Sequence, residues 1–594
     1  MNGVSGYINP PEAPGFGLST PERDQRLSMH REPGLVAVIW GRATLDGSGE
    51  RMAERFAAAW RARGAAACVE LGGHFAACVI DHASGQALLA IDRSGVYSMH
   101  YQSGPQGLWF ATDASALPAG ELDAQSIYNY LYFHVIPAPR GVYRGQQRLL
   151  PGEYLLYRAG RSERGVYWRM RFREERALPF AVMKRQFLDI VRDAVRQSAG
   201  GEVGAFLSGG TDSSTLAGML GEISGQPART YSIGFDVDGY DEMDYARLAA
   251  RHFKTRHHEY YLTAGDVADA IPRIAAACDQ PFGNSSIVPA YFCAEMARAD
   301  GIGKLIGGDG GDELFGGNER YARQAVFARY ERLPSSVRQL ALEPLLFGVA
   351  GNADLRLLRK ARSYVEQALL PMPARLESYN LLRHYGPAQV LHTEFLAAID
   401  QASPLDQLNA CYWESHGLSQ INRMQALDLR YTLADNDLRK VTTACRLAGV
   451  EAAFPFLSDD MLAFSARLPP ADKLHGTRLR YFFKHALRQH LPRAILRKKK
   501  HGFGMPFGQW LQTDAHLRAL AYDSLSDLKR RRIVRPEFID QLTRKLVREH
   551  PAYHGTMVWV LMMLEQWLQQ HAIPQPAVAP AGVAETAGGP APRA

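Results

Sequence analysis

A chain of 594 residues, 46% hydrophobic and 22% charged, has room for several domains and a substantial core, and is neither disordered, collagen-like nor a coiled coil over most of its length. Its net charge of +7, from 68 Lys and Arg against 61 Asp and Glu, is small for this length and lacks the long basic stripe that duplex nucleic acid needs. Six scattered cysteines, with no Cys-x-x-Cys and no zinc spacing, predict reduced thiols and a cytoplasmic setting. No apolar run approaches a membrane span and the first residues show no signal-peptide pattern, so neither nucleic acid nor a membrane is an expected partner.

Up to about Tyr157, short apolar runs end in turn residues: Leu35–Trp40, Phe75–Asp81, Ala87–Asp92 and Leu108–Ala111. They read as strands of an all-β or α/β layered domain. From about Pro179 the pattern changes. An amphipathic stretch from Met183 to Ser198 precedes an apolar strand, Val203–Leu207, then a Gly/Ser turn, a helix from Ser214 to Glu222 and a second strand from Thr230 to Phe235. Strand, turn, helix, strand is the order of a parallel sheet. Helical periodicity dominates from Tyr321 to Ala572, and Met557–Leu568 reads as core. The Pro/Ala/Gly tail at 573–594 has too little apolar surface to offset its ordering entropy and is expected to be disordered.

The sharpest motif is Ser208-Gly209-Gly210-Thr211-Asp212-Ser213-Ser214, between an apolar strand and a helix. Small residues let backbone N–H groups converge on phosphate oxygens, and the helix N-terminus adds partial positive charge. It has neither the Gly-Lys-[Ser/Thr] ending of a P-loop nor the Gly-x-Gly-x-x-Gly fingerprint. The ordinary alternative is a Gly/Ser turn with a Ser/Asp helix cap.

These residues resemble the Ser-Gly-Gly-x-Asp-Ser signature of the ATP pyrophosphatases. Further matches point to the asparagine synthetase family: Tyr231–Phe235, Asp241-Glu242, His258-Glu259, Asp279-Gln280-Pro281, Gly308–Gly317, Lys500–Pro506 and, earlier, Gly73–Ala76, Asp92–Gly95 and Leu150–Gly152. The resemblance implies an α+β amidotransferase-like β-sandwich of the Ntn type over 1–170, and an α/β ATP-pyrophosphatase domain with a parallel sheet and a helical C-terminal part over 180–572. In this family ATP is split between its α- and β-phosphates. Charge growing on departing pyrophosphate calls for Mg²⁺ and hydrogen-bond donors rather than a base. By similarity, Ser208, Gly209, Gly210, Ser213 and Ser214 hold the pyrophosphate, Asp212 and Asp312 hold the metal, and Ile233 and Gly308 flank adenosine. For Asp312-Glu313 the alternative is a helix cap.

Several positions depart from the family. Class II amidotransferases use an N-terminal cysteine, whereas position 2 is Asn2, and the glutamine-holding loops are not recognisable near His30–Pro33. The resemblance therefore implies an N-terminal domain without glutaminase chemistry. The family's pyrophosphate-neutralising Lys is Arg480, Lys484 stands in place of its Arg, and the acid of its Ser-Gly-Glu-Gly loop is Asp309. Glu451 is kept and by resemblance takes the proton of the attacking amine, the alternative being a solvated or capping Glu. Thr442, Ala453 and Ser458 replace charged family residues, which predicts an acceptor side with space for a carboxylate larger than aspartate.

The expected activity is an ATP-dependent ligase that adenylylates a carboxylate and joins it to an amine not drawn from glutamine. Relatives that close β-lactam rings or the macrolactam of lasso peptides work this way, which suggests a precursor peptide with a protease partner. An ammonia-using asparagine synthetase and a non-catalytic regulator are the alternatives, and pyrophosphate exchange separates the regulator from the other two. The basic run Arg497–Lys500 reads as a solvated helix end or a phosphate-facing edge, and the His550/His554 pair as a helix start.

Overall fold

A computed structural model describes residues 3–9, 15–21, 24–158, 160–175, 178–344, 346, 356–414, 418–498 and 504–571. Asn2, residues 499–503 and the 573–594 tail lie outside the described residues.

The N-terminal region begins with β1 (Ser5–Ile8), β2 (Phe16–Ser19), β3 (Leu27–Glu32), β4 (Leu35–Leu45) and α1 (Met52–Arg63). It continues through β5 (Leu71–Asp81), β6 (Gln86–Ile91), β7 (His100–Gly104), β8 (Gly107–Ala111), α2 (Ala124–Phe133), β9 (Gln146–Arg148), β10 (Glu153–Arg158) and β11 (Arg161–Val166). They form two antiparallel sheets, ordered β2-β1-β8-β7-β9 and β11-β10-β6-β5-β4-β3. The four apolar runs fall in β4, β5, β6 and β8. Val36, Val38, Trp40 and Cys78 point into the space between the sheets, while Ala37, Ile39, Ala77 and Val79 pack beneath Phe56 and Trp60 of α1. Both faces of the central strands are covered, so their sequence is continuously apolar rather than alternating.

After α3 (Phe180–Ser198), a parallel sheet is laid down by β12 (Val203–Phe206), α4 (Thr211–Ser224), β13 (Arg229–Gly234), α5 (Met243–Phe253), β14 (Arg256–Tyr261), α6 (Ala264–Ala277), α7 (Ile287–Ala299), β15 (Lys304–Ile306) and α8 (Gly311–Phe315). Its fifth strand, β16 (Glu451–Ala453), arrives after a long helical insertion and lies outside β15. The spatial order is β14-β13-β12-β15-β16, so the winding reverses between β12 and β15. Such a switch point opens a crevice at the carboxyl ends of the strands.

The two regions are bolted together by buried polar contacts. Asp279 accepts from Ala114 N at 3.2 Å and is paired with Arg439 and His100, and Arg148 is paired with Asp435. Burial pulls the pKa of the His100 imidazole down, against the opposing pull of Asp279. Tyr130 of α2 donates to Val560 O at 2.7 Å in the C-terminal helix Pro551–Gln570, whose Met557–Leu568 segment is fully buried. The His550 ring caps that helix, accepting from Tyr553 N at 3.3 Å, and no helix among the described residues is long and apolar enough to cross a membrane.

Candidate active site

A cavity of about 680 Å³ opens at the switch point. The loop after β12 and the loop after β15 form two of its walls, and the helices Leu438–Ala448 and Tyr481–Ala486 complete it. The first loop folds tightly: Ser208 N donates to Ser213 Oγ at 3.2 Å, Gly210 N to Ser208 Oγ at 3.4 Å, and α4 starts at Thr211. Gly209 has φ +67°, and a Cβ there would lie 2.3 Å from the Tyr245 carbonyl carbon. Only glycine fits. From the other side, a Cβ on Gly311 would fall 1.9 Å from Asp212 Oδ1, which brings the two loops into contact.

Arg480 joins them. Its guanidinium pairs with both oxygens of Asp212, with Asp312 at 3.1 Å, and donates to Thr211 Oγ1 at 2.9 Å. Burial would discharge it, but the Asp212 and Asp312 carboxylates outweigh that and hold it charged. Arg480 has φ +57°, a left-handed conformation that strains a non-glycine residue, and its guanidinium carbon lies 4.1 Å from the centre of the Phe483 ring. Phe483 is held by Phe187, Phe315 and Phe456, so the guanidinium stands on the aromatic core.

Other cations ring the cavity. Lys484 lines it, and burial together with Arg480 lowers its pKa. Lys498 donates to Ser208 O at 3.2 Å and pairs with Glu242 at 3.1 Å, so this part of the basic run is a cavity edge. Lys440 pairs with Asp437 at 2.7 Å and faces the field of Asp309. Burial pushes the Asp309 carboxyl up to about 6, against the pull of Lys440.

Ser208, Gly210, Asp212, Ser213, Ile233, Gly308, Asp309, Asp312, Arg480 and Lys484 thus meet at one cavity. Gly209 and Ser214 stand behind its wall, the first against Tyr245 and the second fully buried inside α4. Glu451 does not reach it. It opens β16 beside Lys304, at the strand end opposite the cavity, and Arg42 of β4 grips both its oxygens at 2.7 and 2.8 Å. The expectation for Thr442, Ala453 and Ser458 is also corrected. Thr442 Oγ1 bonds back to Leu438 O at 2.7 Å, Ala453 O accepts from Gly307 N at 2.8 Å, and Ser458 caps the helix Asp459–Ala466. None of the three lines the cavity. Asp437, Lys440 and Thr211 were missed as site residues, because only the approach of distant helices gives them a role.

The Asparagine synthase family description matches residues 186–569, which carry the cavity. The chain belongs to the asparagine synthase family. Within this family it is an ATP-dependent carbon–nitrogen ligase. The Glutamine amidotransferase domain description matches residues 48–168, inside the sandwich. Among relatives, a Bacillus subtilis protein named glutamine-hydrolyzing asparagine synthetase 1 is 23% identical over 494 residues, covering 80% of this chain and 74% of its own length. A Penicillium rubens protein named Amidase chyE is 24% identical over 490 residues, covering 74% and 70% respectively.

Asp309 yields a prediction about pH. Its raised pKa means that folding favours the neutral acid, so its contribution to stability is greatest below the ordinary carboxylate range and is lost as pH rises through about 6. If the ionised form works in turnover, kcat should climb through a limb near pH 6, and Asp309→Asn should remove that limb and lower the plateau at least about tenfold. An unchanged pH profile in Asp309→Asn would assign the limb elsewhere.

Proposed function

We propose that this chain activates a substrate carboxylate with ATP and joins it to an amine that does not come from glutamine. A carboxylate oxygen attacks the α-phosphorus, the bond to the β-phosphate oxygen breaks and pyrophosphate leaves. The amine then attacks the acyl carbon and AMP departs. The convergence of the Ser208–Ser214 loop, the Gly308–Asp312 loop and Arg480 on one switch-point cavity carries this reading. Lys484, Lys498 and Arg480 receive the charge of the leaving pyrophosphate. In this reading Asp309, a carboxylate of the cavity wall, takes the amine's proton rather than Glu451, which Arg42 holds outside the cavity.

Asp212 and Asp312 offer the hard oxygen donors that Mg²⁺ takes alongside phosphate oxygens and water. No group of three or more His, Cys, Asp or Glu side chains among the described residues is arranged to hold a metal alone, so these two would act with ATP itself. When bound, the ion neutralises charge on the phosphates.

The thiols support an amine that is not drawn from glutamine. All six cysteines are buried, and burial pushes the two in the sandwich, Cys68 and Cys78, up to about 12. None of them provides the accessible thiolate that glutamine cleavage needs. An intramolecular amine, as in closing a macrolactam on a precursor peptide released by a protease, is one source that meets this reading. The relatives' names favour a second reading, in which aspartate and free ammonia yield asparagine. Full-length protein with Mg²⁺ and ATP is expected to form AMP and pyrophosphate, never ADP, and to release no glutamate from glutamine. Glutamate above the no-enzyme control would overturn the amine assignment. Brisk AMP formation from aspartate plus ammonia would establish the second reading.

A further inference from the structure

Beside the ATP cavity lies a second recess of about 140 Å³ that its chemistry leaves unused. The two share Thr432 as a wall residue. Their walls also run through consecutive residues, Glu319 to Arg320 and Asn436 to Asp437, the first of one pair and the second of the other lining the ATP cavity. Three of these residues, Thr432, Asn436 and Asp437, belong to the π-helical segment Asp428–Asp437. Such widened turns are uncommon and gather at functional sites.

The sandwich region builds part of this recess. Phe133, the last residue of α2, stacks on Tyr431 with ring centroids 5.5 Å apart. Leu376, Leu408 and Leu427 give it apolar walls, and Glu377, whose carboxyl is pushed up by burial and so tends toward the neutral acid, also lines it. Arg320 is paired with the buried Asp428, so its charge is already met. Two donors of the wall residues, Tyr431 Oη and Arg320 Nε, are buried without a hydrogen-bond partner. Leaving a buried donor unmet is costly, and an acceptor such as a peptide carbonyl would satisfy it. Free aspartate, small and doubly anionic, finds neither fixed positive charge nor a matching shape here.

We infer that this recess binds an apolar side chain adjoining the carboxylate to be activated, in a peptide or acylated acid rather than a free amino acid. The inference rests on the ligase reading above and names its substrate class. It also gives the sandwich a role apart from glutamine, since Phe133 and Val135 wall the recess from that side.

The test is ATP–pyrophosphate exchange by the full chain with N-acetyl-Leu-Asp-amide and N-acetyl-Asp-Leu-amide, each against its Gly counterpart, where only the side-chain carboxylate can react. At least one Leu peptide is expected to exceed its Gly partner about tenfold or more in kcat/KM, the gain that an apolar pocket gives a side chain. Leu376→Trp, which fills the recess, should bring that ratio close to one. Leu408→Ala, which enlarges it, should shift preference from the Leu peptides towards their larger Phe counterparts, N-acetyl-Phe-Asp-amide and N-acetyl-Asp-Phe-amide, a change that mere loosening of the fold would not produce. Exchange with equal rates for Leu and Gly peptides, or a ratio unmoved in both variants, overturns the recess and leaves the ligase reading standing. Absence of exchange with every carboxylate, aspartate included, overturns the ligase reading and the recess with it.

Discussion

Arg480→Ala is expected to reduce AMP-forming turnover by about a hundred- to a thousandfold. The buried guanidinium pairs with Asp212 and Asp312 at the cavity and, in the proposed reaction, would meet the charge that develops on the leaving pyrophosphate. Removing one preorganised donor from such a position costs about 3–4 kcal/mol of transition-state stabilisation. Arg480→Lys keeps a charge but loses the planar fork that spans two carboxylates, so a loss of about tenfold or more is expected. The measurement is pyrophosphate exchange at saturating Mg²⁺ and ATP, with circular dichroism to confirm folding. Turnover of Arg480→Ala within threefold of the parent would mean that Lys484 and Lys498 carry the leaving group unaided. The strained left-handed backbone at Arg480 agrees with a residue kept for its side chain, since glycine would be more comfortable there.

The largest stability effect is expected far from the cavity. Arg531 and Glu565 are 8% and 0% exposed and joined by two hydrogen bonds, at 2.7 and 2.9 Å. Glu565 sits on the Pro551–Gln570 helix that crosses behind α6 and the helix Ala515–Arg530. Glu565→Ala leaves a guanidinium buried against the removed carboxylate, which should destabilise by about 3–5 kcal/mol. Thermal unfolding of the chain as one cooperative unit should show a drop of about 2–4 °C. The double replacement Arg531→Met with Glu565→Leu should recover most of this, because both desolvation penalties vanish together. A double variant no better than Glu565→Ala alone would mean that packing, rather than the lost ion pair, dominates.

Local pattern was legible where local physics decides the outcome. The runs at Leu35, Phe75, Ala87 and Leu108 are strands because both faces of the central strands are covered, and apolar residues at every position already say so. The helix from Met183 lies within α3, and the loop at Ser208 does stand between strand and helix. By contrast, β16 was lost in the helical texture. Three residues, Glu451, Ala452 and Ala453, carry no periodicity, and they become a strand only because β15 offers them an edge.

The sequence by itself determined the two glycine-rich loops and the strand and helix beside each, because each depends on neighbours a few residues away. Only the tertiary structure decided how those pieces work. Arg480 reaches Asp212 across 268 residues of chain, which no periodicity encodes. Glu451 looks catalytic by motif, yet a contact across 409 residues gives it to Arg42. The recess beside the cavity joins Phe133 to Tyr431, from two regions that packing alone brings together. Local sequence fixes backbone conformation through sterics and hydrogen bonding, whereas the partner of a buried charge or ring is set by which distant surfaces exclude water together.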